Sequence, residues 1–407
     1  MAVDPEIKRL LEGYYKDVES ELRSILDWWT RHINNPSNGF YFGEINNQNE
    51  PDAKAPIGLV LQSRLLWTFS AAFKHTQNNQ YLESANHAYE VLLQKFCDTQ
   101  NGGMYWSVHP NGQVASDKKQ AYGIAFAIYG LSAYYEATQN AGALEKATEL
   151  YTCLEKYFFD LQFGGYIECL GNNWSDIEDV RLSDKDQNAI KSMNTHLHII
   201  EAYAGLYKVF PNEGIKESIK TLLYYFEKFI IDADTFQQKL FFEKNWLPTS
   251  SVVSFGHDIE ASWLLQEAAA IIEDTFYVQK FEKIANDMAG VVAIHLSTEG
   301  AVYNEYHRNI DTLGLGKDWW PQAEAMVGFL NAYQNTGNID FLQHSLTSWK
   351  VVNDYFKDPV YGEWHWGYHP SGDLMVREKA GFWKCPYHNS RACIEVANRI
   401  QHLLHHQ

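Results

Sequence analysis

Four short segments hold side chains whose types and spacing fit proton-transfer chemistry. The segment SVVSFGHDIEASWLL opens with Ser254, a helix N-cap type, and Gly256, which permits close approach of a neighbour. His257 and Glu260 follow three positions apart and share one helical face. A carboxylate beside an imidazole stabilises the protonated ring, an arrangement for an acid or base working near neutral pH. A surface ion pair is the plainer reading, but the apolar SWLL that follows sets the pair against a core. GFWKCPYHNSRACIE packs Trp383, Lys384, Tyr387, His388 and Arg391 close together around Pro386. It reads as a loop that delivers His388 to a pocket and then starts the last helix.

The other two segments carry a choice each. In SMNTHLHIIEAY, His196 and His198 stand two positions apart, which on a helix is roughly 200°. Only one can enter a shared pocket. His196 is aligned with Met193 and Ile200 on an inward stripe, as a pocket residue or as a satisfied core histidine. In KDWWPQAEAMVGF, Trp319 and Trp320 precede Pro321 at a helix start, and Glu324 follows one turn on. Adjacent indoles there suit stacking on the apolar face of a sugar, or core packing. Arg64 sits inside the apolar LVLQSRLLWTFSAAF, where burial demands either a carboxylate partner or a polar ligand.

Several chemistries are excluded by what is missing. There is no GxxxxGK[ST], no GxGxxG after a strand and no GxSxG. The HxH pair is too short to define a metal site. Five widely spaced cysteines without a CxxC pair fit reduced thiols, not a structural zinc or a disulfide framework. Two reactions fit a pocket of histidines, tryptophans and an arginine. One is proton abstraction beside a carbonyl, and the other is glycoside hydrolysis between two carboxylates. The segments hold more paired histidines than paired carboxylates, which favours proton transfer.

These side chains need a scaffold, and the chain repeats. Turn-rich aromatic segments begin at Asn38, Asn101, Phe163, Leu240, Gly300 and Tyr361, a period of about 60 residues with one longer interval. Acidic residues often stand just upstream, as at Asp98, Asp160, Asp232 and Asp358. Between the markers, apolar residues recur at helical spacing, often on more than one face. Each period accommodates two helices and a loop. The expected fold is all-α, an (α/α)₆ barrel of twelve helices in inner and outer rings, with short β-hairpins in the loops at one end. Residues 1–407 would form one catalytic domain. An open α-solenoid is the alternative.

Composition bounds the partners. A 45% hydrophobic chain can bury a core, and a net charge of −18 argues against nucleic acid or an anionic membrane surface. No run of about 18 apolar residues offers a membrane span. The N-terminal stretch lacks the apolar core of a secretory signal, so the expected location is cytoplasmic. The closing HLLHHQ reads as a frayed tail.

Taken jointly, SRLLWTF, AFAIYGL, MNTHLH, SFGHDIEASWLL, WWPQAEAMVGFLNAYQ, GEW and KCPYHN resemble the N-acylglucosamine 2-epimerase superfamily, most closely its cellobiose 2-epimerases. The resemblance runs from Arg64 to Glu395 and implies the same (α/α)₆ barrel. It implies epimerisation at C2 of an unmodified aldose through ring opening, a cis-enediol and reprotonation on the opposite face. Its acid/base histidines fall on His257 and His388, with Glu260 pairing a histidine. Arg64, Tyr122, Asn194 and His196 match sugar-binding positions, and Trp320 and Trp383 match stacking tryptophans. It implies no metal or organic cofactor, a neutral sugar as the small-molecule substrate, and a monomer or homodimer. Three departures lie near the expected mouth: Lys119-Gln120 in place of Lys-His, a longer NEYHRNIDTLGLGKDWW loop, and the extra Trp366. They point to free D-mannose and D-glucose, with cellobiose close beside them. A mannose isomerase and an N-acylglucosamine 2-epimerase are the alternatives.

Overall fold

The computed structural model describes residues 4–405, and its architecture follows from two kinds of helix. One kind is buried along nearly its whole length: α2 (Leu59–Thr76), α4 (Ala121–Thr138), α6 (Met193–Val209), α8 (Phe255–Ile271), α10 (Trp319–Thr336) and α12 (Tyr387–His405). These have few polar positions to offer water, so they must be covered on all sides. The other kind buries one face: α1 (Pro5–His32), α3 (Asn79–Val91), α5 (Ala141–Cys153), α7 (Glu213–Tyr225), α9 (Thr275–Ala293) and α11 (Ile339–Val351). Each of the first kind packs on the next, and α12 packs back on α2, which closes an inner ring. The second kind forms the outer ring, with α1 lying on α12. The twelve-helix barrel is the expected one, and the closed ring removes the solenoid alternative. The helix α12 runs as far as His405, so the tail is ordered to that point, and His406 and Gln407 lie outside the described residues.

Short turns join the rings at the far end. Thr76-Gln77-Asn78, Thr138-Gln139-Asn140 and Thr336-Gly337-Asn338 repeat one device. The middle residue takes a left-handed conformation that ends an inner helix. The Asn then caps the following outer helix.

The site end is built from longer loops. Asp98, Asp160, Asp232 and Asp358 each accept backbone N–H groups of the turn that follows. Three of them also hold a buried lysine: Lys119 at 2.7 Å and Lys191 at 2.8 Å, each from a strand that leads into an inner helix, and Lys379 at 2.6 Å, from the loop ahead of α12. Some strand pieces are local hairpins, as Glu305–His307 with Thr312–Gly314. Most pair across the loops instead, roughly one repeat apart. Lys119–Gln120 joins Cys169–Leu170, Lys191–Ser192 joins Phe241–Phe242, and a single Ile45–Ala380 bridge completes the girdle. This long-range pairing is what the local aromatic-polar alternation could not reveal. The girdle holds six inner-helix N-termini at one mouth.

Candidate active site

Every polar group of the site stands in the first two turns or so of an inner helix, so one short stretch of each helix faces the axis. From α2, Arg64 is 3% exposed. It donates to the Tyr122 hydroxyl of α4 at 2.9 Å and lies 4.2 Å over the Phe126 ring. It also approaches the Trp383 carbonyl at 3.5 Å and Cys385 Sγ at 3.7 Å. No carboxylate pairs with it among the described residues. Of the two readings of a buried Arg64, the polar ligand is the one left standing.

The two histidines of α6 exchange the places expected for them. His196 is fully buried, with Nδ1 on the Ser192 carbonyl at 2.6 Å and Nε2 accepting the Tyr166 N–H at 2.9 Å. Its ring packs against Trp246, and Gly165 at φ +78° leaves room for it. Both nitrogens are committed to backbone, so the expected sugar-binding role for His196 is corrected to that of a core histidine. His198, on the other face, meets Tyr122 edge-on at 5.0 Å. Its Nδ1 donates to Glu201 at 2.8 Å, and its Nε2 has no partner among the described residues. The inward stripe through Met193 and Ile200 misled because every face of an inner helix is apolar.

His257 and His388 share His198's pattern. Ser254 caps α8, and its Oγ also bonds His257 Nδ1 at 2.7 Å. His388 Nδ1 donates to Glu324 of α10 at 2.6 Å. Neither Nε2 atom has a partner among the described residues. The Trp320 indole contacts both rings, its centroid 4.7 Å from that of His257 and 5.6 Å from that of His388. Gly256 makes this possible, since a Cβ there would stand 2.5 Å from that indole.

The expected pairing of Glu260 also changes. It does not bond His257; it lies 3.9 Å from His388 Nδ1 and accepts from Arg391 at 2.7 Å. Arg391 also donates to Glu324 at 2.6 Å and to Glu201. Sequence reasoning counted few paired carboxylates, yet three converge here from α6, α8 and α10. The signals were present: Glu201 follows His198 by three positions, and Glu324 stands one turn after Trp320. Glu260, Glu324 and His388 could by type ligate a metal, but the Arg391 guanidinium sits between the two carboxylates and fills that cation position.

A charge count fixes the protonation of this cluster. Glu201, Glu260 and Glu324 all pair with Arg391, so with neutral histidines the carboxylates outnumber the cation that holds them. A buried cluster with excess negative charge retains a proton. Burial and the neighbouring Glu324 push Glu260 up to about 8. Burial works against Glu324 as well, but Arg391 and the His388 hydrogen bond outweigh it and hold its carboxyl down. Burial drives His257 and His388 alike down to about 3, so both rings rest neutral at pH 7. One proton therefore belongs to the His388–Glu324–Glu260 unit, and none to His257.

Beside His257 a cavity of about 500 Å³ opens, lined among others by Asn194, Glu168, Lys185 and Glu305. The Asn194 Oδ1 is buried there without a partner. Of the three mouth departures, the long loop supplies Glu305 and His307 to this rim. Gln120 is buried and ties the Arg181 carbonyl, so it shapes the rim from behind. Trp366 lies against Trp319, with the Arg377 guanidinium 3.6 Å over its ring, so its faces are taken and it does not serve as a sugar platform. A larger cavity, about 1020 Å³, opens at the opposite end of the barrel, where Glu201 separates it from the cluster.

The imidazoles of His198, His257 and His388 gather with buried Arg64 and the Trp320 indole at one mouth of a barrel whose relatives make it a carbohydrate epimerase, an isomerase-class enzyme. The family profile described as N-acylglucosamine 2-epimerase (GlcNAc 2-epimerase) matches residues 39–392, and the chain belongs to that family. It is 40% identical to the cellobiose 2-epimerase of Bacteroides fragilis over 94% of this chain and 98% of that one. The structure of cellobiose 2-epimerase from Spirochaeta thermophila superposes with a TM-score of 0.90 at 35% identity, covering 98% of this chain and 100% of the other. The D-mannose isomerase of Marinomonas mediterranea is more distant, 22% identical over 94% of this chain and 97% of its own.

Proposed function

We propose that the enzyme inverts C2 of the reducing-end glucose of cellobiose and related β-1,4 disaccharides. The observation that carries this reading is the pair of imidazoles, His257 and His388, that both contact Trp320 and whose Nε2 atoms have no partner among the described residues. The disaccharide is supported by the cellobiose relatives and by the cavity beside His257, whose size falls within the 300–1000 Å³ or so of small-molecule sites. This takes precedence over the free monosaccharides to which the mouth residues pointed.

The proposed chemistry uses the protonation just described. After ring opening, neutral His257 takes the C2 proton, which leaves an enediolate with its charge at O1. The His388–Glu324–Glu260 unit returns its proton to the opposite face of C2. For the other epimer the two sides exchange roles. Arg64 and Tyr122 bind the oxygens near C1 and C2, with His198 in the place first given to His196. The Arg64 charge and the positive ends of six inner helices favour negative charge at O1. Trp320 and Trp383 lie against the sugar ring, and Asn194 donates or accepts at the rim. Cytoplasmic location and a monomer or homodimer belong to the same reading; no helix of the described residues is long and apolar enough to cross a membrane.

Incubation with cellobiose and, separately, with mannose in heavy water tests it. Deuterium at C2 of the epimerised disaccharide is expected. Label with mannose alone would move the substrate to the monosaccharides. Label at C1 of a ketose would identify an aldose–ketose isomerase. Absence of any label would remove proton transfer altogether.

A further inference from the structure

The three pocket histidines are each anchored through Nδ1, but not by the same kind of group. His198 and His388 are held by carboxylates, Glu201 and Glu324. His257 is held by a hydroxyl, Ser254 Oγ, at 2.7 Å. The same oxygen accepts the His257 backbone N–H at 3.5 Å as the cap of α8. One hydroxyl therefore fixes both the start of the helix and the turn of the ring.

We infer that Ser254 is a positioning residue that orients His257 and, by offering a neutral partner where the other two histidines have an anion, keeps it the unprotonated base of the site. A carboxylate next to Nδ1 stabilises imidazolium, whereas a hydroxyl adds no charge. The hydroxyl thus holds the ring in place without adding a charge that would oppose its neutral form. This inference rests on the proposed C2 proton transfer.

Other charges bear on His257 without explaining the asymmetry. His198 of α6, Glu324 of α10 and His388 of α12 stand near it. Glu168, Arg181, Lys185, Asp186, Glu305 and His307 line the adjoining cavity. All stay in place when only position 254 is changed, so a shift produced there reports the Nδ1 partner.

The test compares Ser254→Asp, Ser254→Ala and Ser254→Thr by C2 deuterium exchange over a pH series. Asp is as good an N-cap as Ser, so S254D keeps the helix while adding a carboxylate. Its acid limb of kcat/KM is expected to move up by at least one pH unit, a general order for an added neighbouring charge. S254A is expected to lose roughly 10–100-fold in kcat with KM nearly unchanged, the signature of a misplaced base. S254T, which retains the hydroxyl, should recover most of it. An unmoved acid limb in folded S254D, or full kcat in S254A, would overturn the inference. If the wild-type protein itself shows no C2 exchange, the proposed function fails instead, and the two failures are distinct.

Discussion

At the scale of single residues, the site separates histidines by what their second nitrogen is doing. A ring with both nitrogens on backbone is structure; a ring anchored at Nδ1 with Nε2 free is available for chemistry. His196→Asn should therefore lower stability by about 1–3 kcal/mol, the cost of a buried unsatisfied group, while the folded fraction keeps its specific activity. His198→Asn should do the reverse, leaving the melting temperature close to wild type while kcat/KM falls. Parallel thermal melts and C2-exchange assays compare the two, and equal behaviour would undo the reassignment. His257→Ala and His388→Ala should each reduce C2 exchange by about 10²–10⁴-fold, the usual worth of a general acid or base. Sugar binding by calorimetry should persist in both.

At the scale of elements, the loops hold inner-helix N-termini in place through buried Asp–Lys pairs. Removing one partner leaves the other charged and buried, so Asp98→Ala should cost about 3–5 kcal/mol in a denaturant melt. Replacing Asp98 and Lys119 together by apolar residues should cost much less. Helix α8 carries a second liability. Asp258 is 1% exposed, and its Oδ1 accepts from the Gln238 N–H and side-chain amide. Its Oδ2 has no partner. Burial pushes its carboxyl from 3.8 to about 7 against those hydrogen bonds. The sign follows from linkage: the folded state binds a proton that the unfolded state has released, so stability falls as pH rises between 3.8 and about 7. Asp258→Asn should flatten that part of the stability–pH curve, and an unchanged slope would show that Asp258 is not its source.

At the scale of the molecule, closure is what lets six helix starts act on one substrate. Helix α1 fastens the seam: Trp29 Nε1 donates to Glu363 at 2.9 Å, and Glu363 accepts from Lys384 and Asn389 around the loop that leads to His388. A closed ring has no end repeat from which to fray, so unfolding should follow a single transition by fluorescence and by circular dichroism alike. Separate transitions would mean that the ring opens in stages, as a linear solenoid does. Trp29→Phe should lower stability by about 1–3 kcal/mol and loosen the His388 loop, seen as reduced kcat.

Much of this was legible in the chain. The marker spacing counted the repeats, all-round apolar helices demanded an outer layer, and the segments around His257, Trp320 and His388 exposed most of the site. These are local signals: a period, a face, a cap, a charge inside an apolar run. What the sequence could not decide was which of two histidines faces the axis, since an inner helix is apolar all round and its rotation is set by its neighbours. Nor could it show that Glu201, Glu260 and Glu324 share one arginine, because those contacts join α6, α8, α10 and α12 across up to 190 residues. The sequence determined the scaffold and the chemical inventory. Only the closed barrel decided the pairing of charges, and with it the partner that anchors each imidazole.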